Sequence, residues 1–334
     1  MEREPNTEYV LSLSYGKDSL ACLGAIEELG WPLDRIIHAE VWATDDIPAD
    51  LPPMVSFKNH ADEIIRERYG IEVEHQCAVR NGEKLTYEKL FYHVPVRKEK
   101  TLERFSEWGG VSPITGFPPR LAPWCNSRLK LRNLHRVPVH NQCMVQETQR
   151  RVLSSASLSS RETGVPAISN AGFSTGPIAQ GAKTNIVQYL GIAADEPERI
   201  ERHTKPGFKM PLVEIGWDEA YCRKWCEERD LLSPIYTTAT RGGCWFCHNQ
   251  GIDQLRLLRK TYPDLWKLLL KWDKDSPTTF KADGHTVRDY DLRFQAEDLG
   301  LVPTDRKFRW KMLTGNNIIA ITKRNLLKLL EGSL

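Results

Sequence analysis

The chain has 334 residues, enough for roughly two domains of ordinary size, of which 40% are hydrophobic and 27% charged. Forty-six Lys and Arg stand against 44 Asp and Glu, a net charge of +2 that advertises no nucleic-acid surface by itself. This composition excludes a disordered or collagen-like chain; no window approaches the ~18 apolar residues of a membrane span, and Met1-Glu-Arg-Glu-Pro5 lacks the basic and apolar regions of a signal peptide, so a cytoplasmic protein with no membrane partner is expected.

Along the chain, Tyr9-Val-Leu-Ser-Leu-Ser14 alternates β-forming residues, Gly16 breaks the run, and residues 19–26 continue with helical spacing as far as Gly30-Trp31-Pro32. This reads as strand, tight turn and helix. Residues 36–43 predict a second strand, His60 to Tyr69 a helix stopped by Gly70, and Ile71 to His75 a third strand. Such alternation predicts a parallel sheet sandwiched by helices, whose ligands sit beyond the carboxyl ends of the strands. From Leu131 to Thr184 the only acids are Glu147 and Glu162, and the Ser-rich run 154–160 leads into Gly- and Pro-bearing polar sequence, which reads as a poorly ordered insertion. A strand resumes at Asn185–Ile192, the segment 217–229 is helical, residues 240–250 form a cysteine-bearing turn, and residues 252–272 give two helices broken at Pro263. The expected organisation is a nucleotide-binding α/β part over 1–130, an insertion over 131–184, a return to the sheet over 185–215, and a helical, cysteine-bearing region over 216–334.

The most informative stretch is Ser14-Tyr15-Gly16-Lys17-Asp18-Ser19. Between a strand and a helix, backbone N–H groups and the helix N-terminus favour an anion, and glycine permits its close approach. Lys17 adds a full charge, Ser14 and Ser19 offer hydroxyls, and Asp18 reads as the helix N-cap. A Walker A loop is excluded, since it would need glycine where Leu11 stands and Ser or Thr in place of Asp18.

These residues resemble the S-G-G-K-D-S signature of the PP-loop ATP pyrophosphatase superfamily, with Tyr15 as the one departure. Within that superfamily the chain is most similar to the phosphoadenosine phosphosulfate reductase-like family, through Trp124-Cys125 with Leu129-Lys130, through Tyr189-Leu-Gly-Ile192 with Asp195-Glu196, and through Gly243-Cys-Trp-Phe-Cys247. The resemblance implies a Rossmann-like fold of the adenine nucleotide alpha-hydrolase type. It further implies ATP with Mg²⁺ on the loop, with Ser14, Tyr15, Gly16, Lys17, Asp18 and Ser19 around the phosphates. Cleavage between the α- and β-phosphates would adenylylate an acceptor substrate for chemistry such as sulfur transfer, with a nucleic acid or a sulfur donor protein as the alternative partners. Lys17 and Asp45 are the implied catalytic residues, and Asp45, Asp46, Asp195 and Glu196 further nucleotide or metal contacts; two solvated turn acids remain the alternative for Asp45 and Asp46. Arg199 and Arg202 follow the acidic turn and are read either as nucleotide contacts or as partners of Glu198 and Glu201.

Sulfonucleotide reductases generally lack the loop lysine and use a cysteine near the C-terminus; this chain keeps Lys17 and has no cysteine after Cys247. Both departures favour ATP-dependent chemistry over reduction, with a non-catalytic nucleotide-binding subunit of a nucleic-acid modification or defence complex as a third reading.

Of the eight cysteines, Cys244 and Cys247 are spaced C-x2-C in a glycine-bearing turn, and Cys222 and Cys226 share a helix face. Four thiolates suit Zn²⁺ or [4Fe–4S] equally. Cys226, Cys244 and Cys247 are three expected ligands, with Cys125 favoured by the resemblance as the fourth over Cys222 or His248, and a redox dithiol at 244 and 247 is the alternative. Arg120, Arg128, Lys130 and Arg132 surround Trp124-Cys125 and read either as an anion contact or as a solvated basic face.

Overall fold

The computed structural model describes residues 1–95, 114–119, 121, 123–131, 185–237 and 242–330. Almost all of the expected insertion over 131–184, with Cys143, lies outside these residues. The chain divides into two units, one formed by Met1–Lys89 and Trp124–Cys244 and the other by Leu90–Pro123 and Trp245–Leu334.

The first unit is built on a five-stranded, all-parallel sheet. Its strands are β1 (Thr7–Ser12), β2 (Arg35–Glu40), β3 (Val73–Cys77), β6 (Asn185–Tyr189) and β7 (Phe208–Lys209), in the order β3-β2-β1-β6-β7. The short pair β4 (Val79–Arg80) and β5 (Glu83–Lys84) forms a separate antiparallel ribbon. Strand β1 is central because both faces of Tyr9 to Leu11 are apolar and buried, as a strand covered by helices on both sides requires. It pairs Leu11 with Ile36 on one side and with Tyr189 on the other. The helices are α1 (Lys17–Glu28), α2 (Pro52–Tyr69), α4 (Pro197–His203), α5 (Pro211–Ile215) and α6 (Glu219–Glu227), with α3 (Tyr87–Phe91) lying across the boundary of the units. This is an α/β sheet flanked by helices, compatible with a Rossmann-like fold.

Helix α1 carries an almost unbroken buried run, Ser19 to Ile26, because it is covered by the sheet on one side and by α5 and α6 on the other. Gly24 makes the α6 contact close: a Cβ there would fall 2.4 Å from the Trp225 ring. Helix α2 begins at Pro52, eight residues before the sequence reading placed it, because Pro52 and Pro53 occupy the first turn, where proline is preorganised and no N–H is lost. It ends as expected at Gly70, in the left-handed conformation at φ 68°.

In the second unit, α7 (Ile252–Thr261) and α8 (Pro263–Asp275) meet at the expected proline break, and α9 (Val287–Asp298) and α10 (Gly315–Leu330) follow. A capping box of Thr286 and Asp289 starts α9. Trp266 and Trp272, buried on one stripe of α8, are core residues here, packed on Phe294 and on Phe91, Trp245 and Phe246 respectively. Among the described residues no helix is long and apolar enough to cross a membrane.

The turn after β6 lies against the start of α1, where a Cβ on Gly191 would stand 2.6 Å from the Ser19 Cα and 2.7 Å from its nitrogen. Backbone cannot yield as a flexible side chain can. Gly191→Ala is therefore expected to destabilise the protein by roughly 1 to 3 kcal/mol, measured by urea unfolding; an unchanged midpoint would contradict this packing of turn on loop.

Candidate functional site

The residues between β1 and α1 stand at the carboxyl end of the central strand, beside the point where the order of strands reverses, with β2 on one side and β6 on the other. In such sheets this is where a crevice opens. Here it opens into a cavity of about 1040 Å³ lined by residues 12–19, Gly191, Arg199, Arg202, Glu219, Tyr236 and Cys244, among others. Leu13, Ala39, Val41, Met54 and Ile235 supply apolar wall, while Lys17, Lys130, Arg199 and Arg202 supply cations.

The loop is laced by its own serines. Ser14 N–H donates to Ser19 Oγ at 3.2 Å, Ser19 Oγ donates to Gly16 O at 2.9 Å, and the two hydroxyl oxygens are 3.0 Å apart. Both hydroxyls expected to meet an anion thus shape the turn. The N-cap is Gly16, without a side-chain cap, and Asp18 falls in the first turn, which corrects its assignment as the cap. The reason is electrostatic: Asp18 turns to Lys17 Nζ at 2.7 Å instead of back to the backbone. Lys17 N–H donates to the Tyr236 hydroxyl at 3.1 Å.

Lys17 Nζ is held by two carboxylates, Asp18 and Glu219 Oε2 at 3.1 Å. Burial lowers its pKa, but these partners more than offset it and the net shift is upward. Asp18 moves up as well, chiefly through burial. Oxygens of Asp18, Glu196 and Glu219 lie within 4.8 Å of one another. Glu196 is therefore brought beside Asp18 of the loop, and it also takes Arg199 Nη1 at 2.7 Å. Asp195 instead accepts from Glu219 N–H at 3.1 Å, fixing the start of α6.

Asp45 and Asp46 do not line the cavity. The Asp45 carboxylate is paired with Lys89 at 2.8 Å, and Thr44 Oγ1 accepts from Asp46 N–H, so both belong to a surface turn closed by the bridge between Trp42 and Pro48. The acid on the cavity wall is Asp50, further along the same connection.

Beneath the loop lies a polar network that the sequence reading did not single out. Tyr15 is fully buried, and its hydroxyl donates to Asp62 and lies 3.1 Å from His75 Nε2. His75 uses both nitrogens, Nε2 to Asp62 at 2.8 Å and Nδ1 to Glu40 at 3.0 Å. Lys58 Nζ reaches Asp50 at 2.5 Å, His38 Nε2 at 2.8 Å and Glu40 at 3.7 Å. His38 Nδ1 donates to Leu13 O at 2.8 Å, which fixes its tautomer and leaves Nε2 to accept from the Lys58 ammonium. The ligand atoms of His38, Glu40 and His75 come within 4.8 Å of one another, and the Lys58 ammonium meets two of the three residues, His38 and Glu40. The available signal was polar character at β2 and β3 positions that an all-parallel, doubly covered sheet normally gives to apolar residues.

Burial pushes the Glu40 carboxyl up, but the hydrogen bond from His75 and the charge of Lys58 prevail and hold it at about 2. Burial pushes His75 down, and its bonds to Asp62 and Glu40 raise it to about 9. His38 is driven well below its ordinary value by burial and by Lys58.

The four cysteines expected to bind metal, Cys125, Cys226, Cys244 and Cys247, fall in three segments of the chain: before the π-helix Asn126–Leu131, on α6, and at 244–247. Cys226 is fully buried on α6 and donates from Sγ to Lys17 O at 3.3 Å. Burial lifts it to about 12, and Cys222 to about 12. Cys125 is half-buried before the short π-helix Asn126–Leu131, Cys244 lines the cavity, and Cys247 belongs to the second unit. Among the described residues, no group of three close ligand atoms includes a cysteine.

No family model, curated protein or solved structure matches the chain. What fold and site define together is an α/β protein with a parallel sheet and a cation-bearing loop at its switch point.

The two shifts set a pH window. His75, raised from 6.5 to about 9, contributes stability that is full below about 6.5 and lost as pH climbs through 9. Glu40, lowered from 4.5 to about 2, contributes stability that is full above 4.5 and lost as pH falls through 2. His75→Gln should therefore cost on the order of 1 to 3 kcal/mol near neutral pH, with the deficit shrinking toward pH 9. Unfolding free energies of both proteins across this range check it, and a pH-independent difference would refute the charged pair.

Proposed function

We propose that the chain is a nucleotide-binding enzyme that takes ATP at the Ser14–Ser19 loop, cleaves it between the α- and β-phosphates and transfers the adenylyl group to an acceptor, as the resemblance to PP-loop enzymes implies. One observation carries this reading: the loop stands at the end of the central strand, with Lys17 facing a cavity large enough for a nucleotide. The anion's partners would be the N–H groups of the first turn of α1 and the Lys17 ammonium. The apolar wall of Leu13, Ala39, Val41 and Met54 suits a base.

The carboxylates around Lys17 have a part in the same reading. With no anion, Asp18 and Glu219 hold its charge. Their oxygens, with those of Glu196, form an all-oxygen donor set that fits Mg²⁺. When bound, Mg²⁺ would supply charge neutralisation at the phosphate oxygens. Lys17 would move from carboxylate to phosphate with little cost in solvation, because one anion replaces another. Arg199 and Arg202, on the cavity wall, and Lys130 opposite would steady further negative charge or an anionic acceptor.

Lys17→Ala removes a charge-assisted contact of about 1.5 to 3 kcal/mol, so ATP affinity should fall by roughly ten-fold or more. Calorimetry with both proteins tests this, and equal affinities would defeat the loop assignment. Pyrophosphate release on incubation with ATP and Mg²⁺ tests the chemistry: AMP and pyrophosphate support it, while binding without cleavage would leave a nucleotide sensor.

A further inference from the structure

Position 15 has a conformation that its residue does not favour. Tyr15 sits at φ 58°, in the left-handed region where glycine is free and a β-carbon is strained. The signature that this loop resembles has glycine there. The tyrosine is fully buried, with its ring edge-on to His38 at 4.8 Å, stacked near His75 at 6.0 Å and faced by Lys58 Nζ at 5.4 Å from its centre. Its hydroxyl meets the Asp62–His75 pair. A strained backbone persists only where its surroundings over-determine it, and here they do so through one side chain.

We propose that Tyr15 is the positioning residue of the phosphate loop: ring and hydroxyl tie the backbone of residues 14–19 to the Asp62–His75–Glu40 chain and so hold the anion-receiving N–H groups in place. This rests on the phosphate-loop reading above, but the anchor has consequences that need no nucleotide. Loop order depends on a chain of groups that never touches the anion. His75 is faced by Glu40 and the His38 ring from β2, by Asp62 from α2 and by Tyr15 from the loop, and Lys58 of α2 adds its charge through Glu40. An alkaline loss of the imidazolium charge would therefore leave Asp62 and Glu40 without the cation that bridges them, with Lys58 still beside Glu40.

The test compares the full-length protein with Tyr15→Phe, which removes only the hydroxyl, with Asp62→Asn, which is isosteric at the partner, and with Tyr15→Gly. Amide hydrogen exchange without ligand should be faster by roughly ten-fold or more in residues 14–19 of the first two variants, with the amides of β1 and β6 unchanged. Tyr15→Gly separates strain from anchoring. If the position needed only its positive φ, glycine would slow loop exchange or leave it alone, whereas an anchor requires that exchange accelerate. Unchanged loop exchange in both isosteric variants overturns the proposal, and so does equal acceleration throughout the sheet, which would mark a general loss of stability.

A second arm uses ATP as the probe. Tyr15→Phe should weaken ATP binding by roughly five-fold or more, and the wild-type affinity should decline as pH passes about 9, a decline that His75→Gln should lack. Undiminished ATP affinity in Tyr15→Phe overturns the positioning role. A wild-type protein that binds no ATP overturns the nucleotide reading instead, and the exchange result then judges the anchor by itself.

Discussion

A parallel sheet cannot be closed by hairpins, and much of this site follows from that constraint. Each ladder must be reached by a crossover, so the turns that leave the carboxyl ends of neighbouring strands come together on one edge. Strand β1 pairs with β2 on one side and with β6, distant in the chain, on the other. The turns after β1, β2 and β6 therefore meet around one cavity. Gly191 allows the last of them to lie directly on the backbone of Ser19. The strand register thus does more than stabilise the core, since it assembles a site from segments with no local relation.

Charge is distributed within this site so that each buried cation has anions at hand. Lys17 lies between Asp18 and Glu219, and Lys58 between Asp50 and Glu40. A buried ammonium without such partners would lose its proton rather than bear the cost of desolvation. The two lysines differ in what they can release. Lys17 stands on the loop beside half-exposed Glu219, where an incoming anion can replace a carboxylate. Lys58 is sealed under the loop with His38 and Glu40, and its partners serve the architecture. Breaking a buried pair of this kind on one side only leaves an uncompensated charge.

Tyr15 links these two layers. Its backbone belongs to the loop and its side chain to the network below, in a conformation held by contacts rather than by intrinsic preference. A glycine loop would gain freedom of backbone at this point and lose the connection. The network also explains polar residues in the sheet, because His38 and Glu40 occupy β2 positions flanked by Ile37, Ala39 and Val41, and His75 lies directly across from His38 on β3.

The sequence by itself determined the local features. The strand–turn–helix around Ser14–Ser19, the alternation that makes a parallel sheet, the stop at Gly70 and the break at Pro263 are written in short-range patterns, because backbone preferences and hydrophobic periodicity act over a few residues. The placement of Lys17 and Glu196 at one site was legible for the same reason, as both lie in turns that leave predicted strands. Tertiary structure alone decided which polar residues meet. Asp45 and Asp46 carried the expected chemistry but closed a surface turn, while Asp50 reached the cavity. Cys226 is buried where α6 packs on α1, with its Sγ on Lys17 O. The contacts among Tyr15, His38, Glu40, Lys58, Asp62 and His75 depend on the register of β2 with β3 and on the face that α2 presents. Spacing along the chain encodes neither directly, because the energies that set them come from burial and from pairing across the sheet.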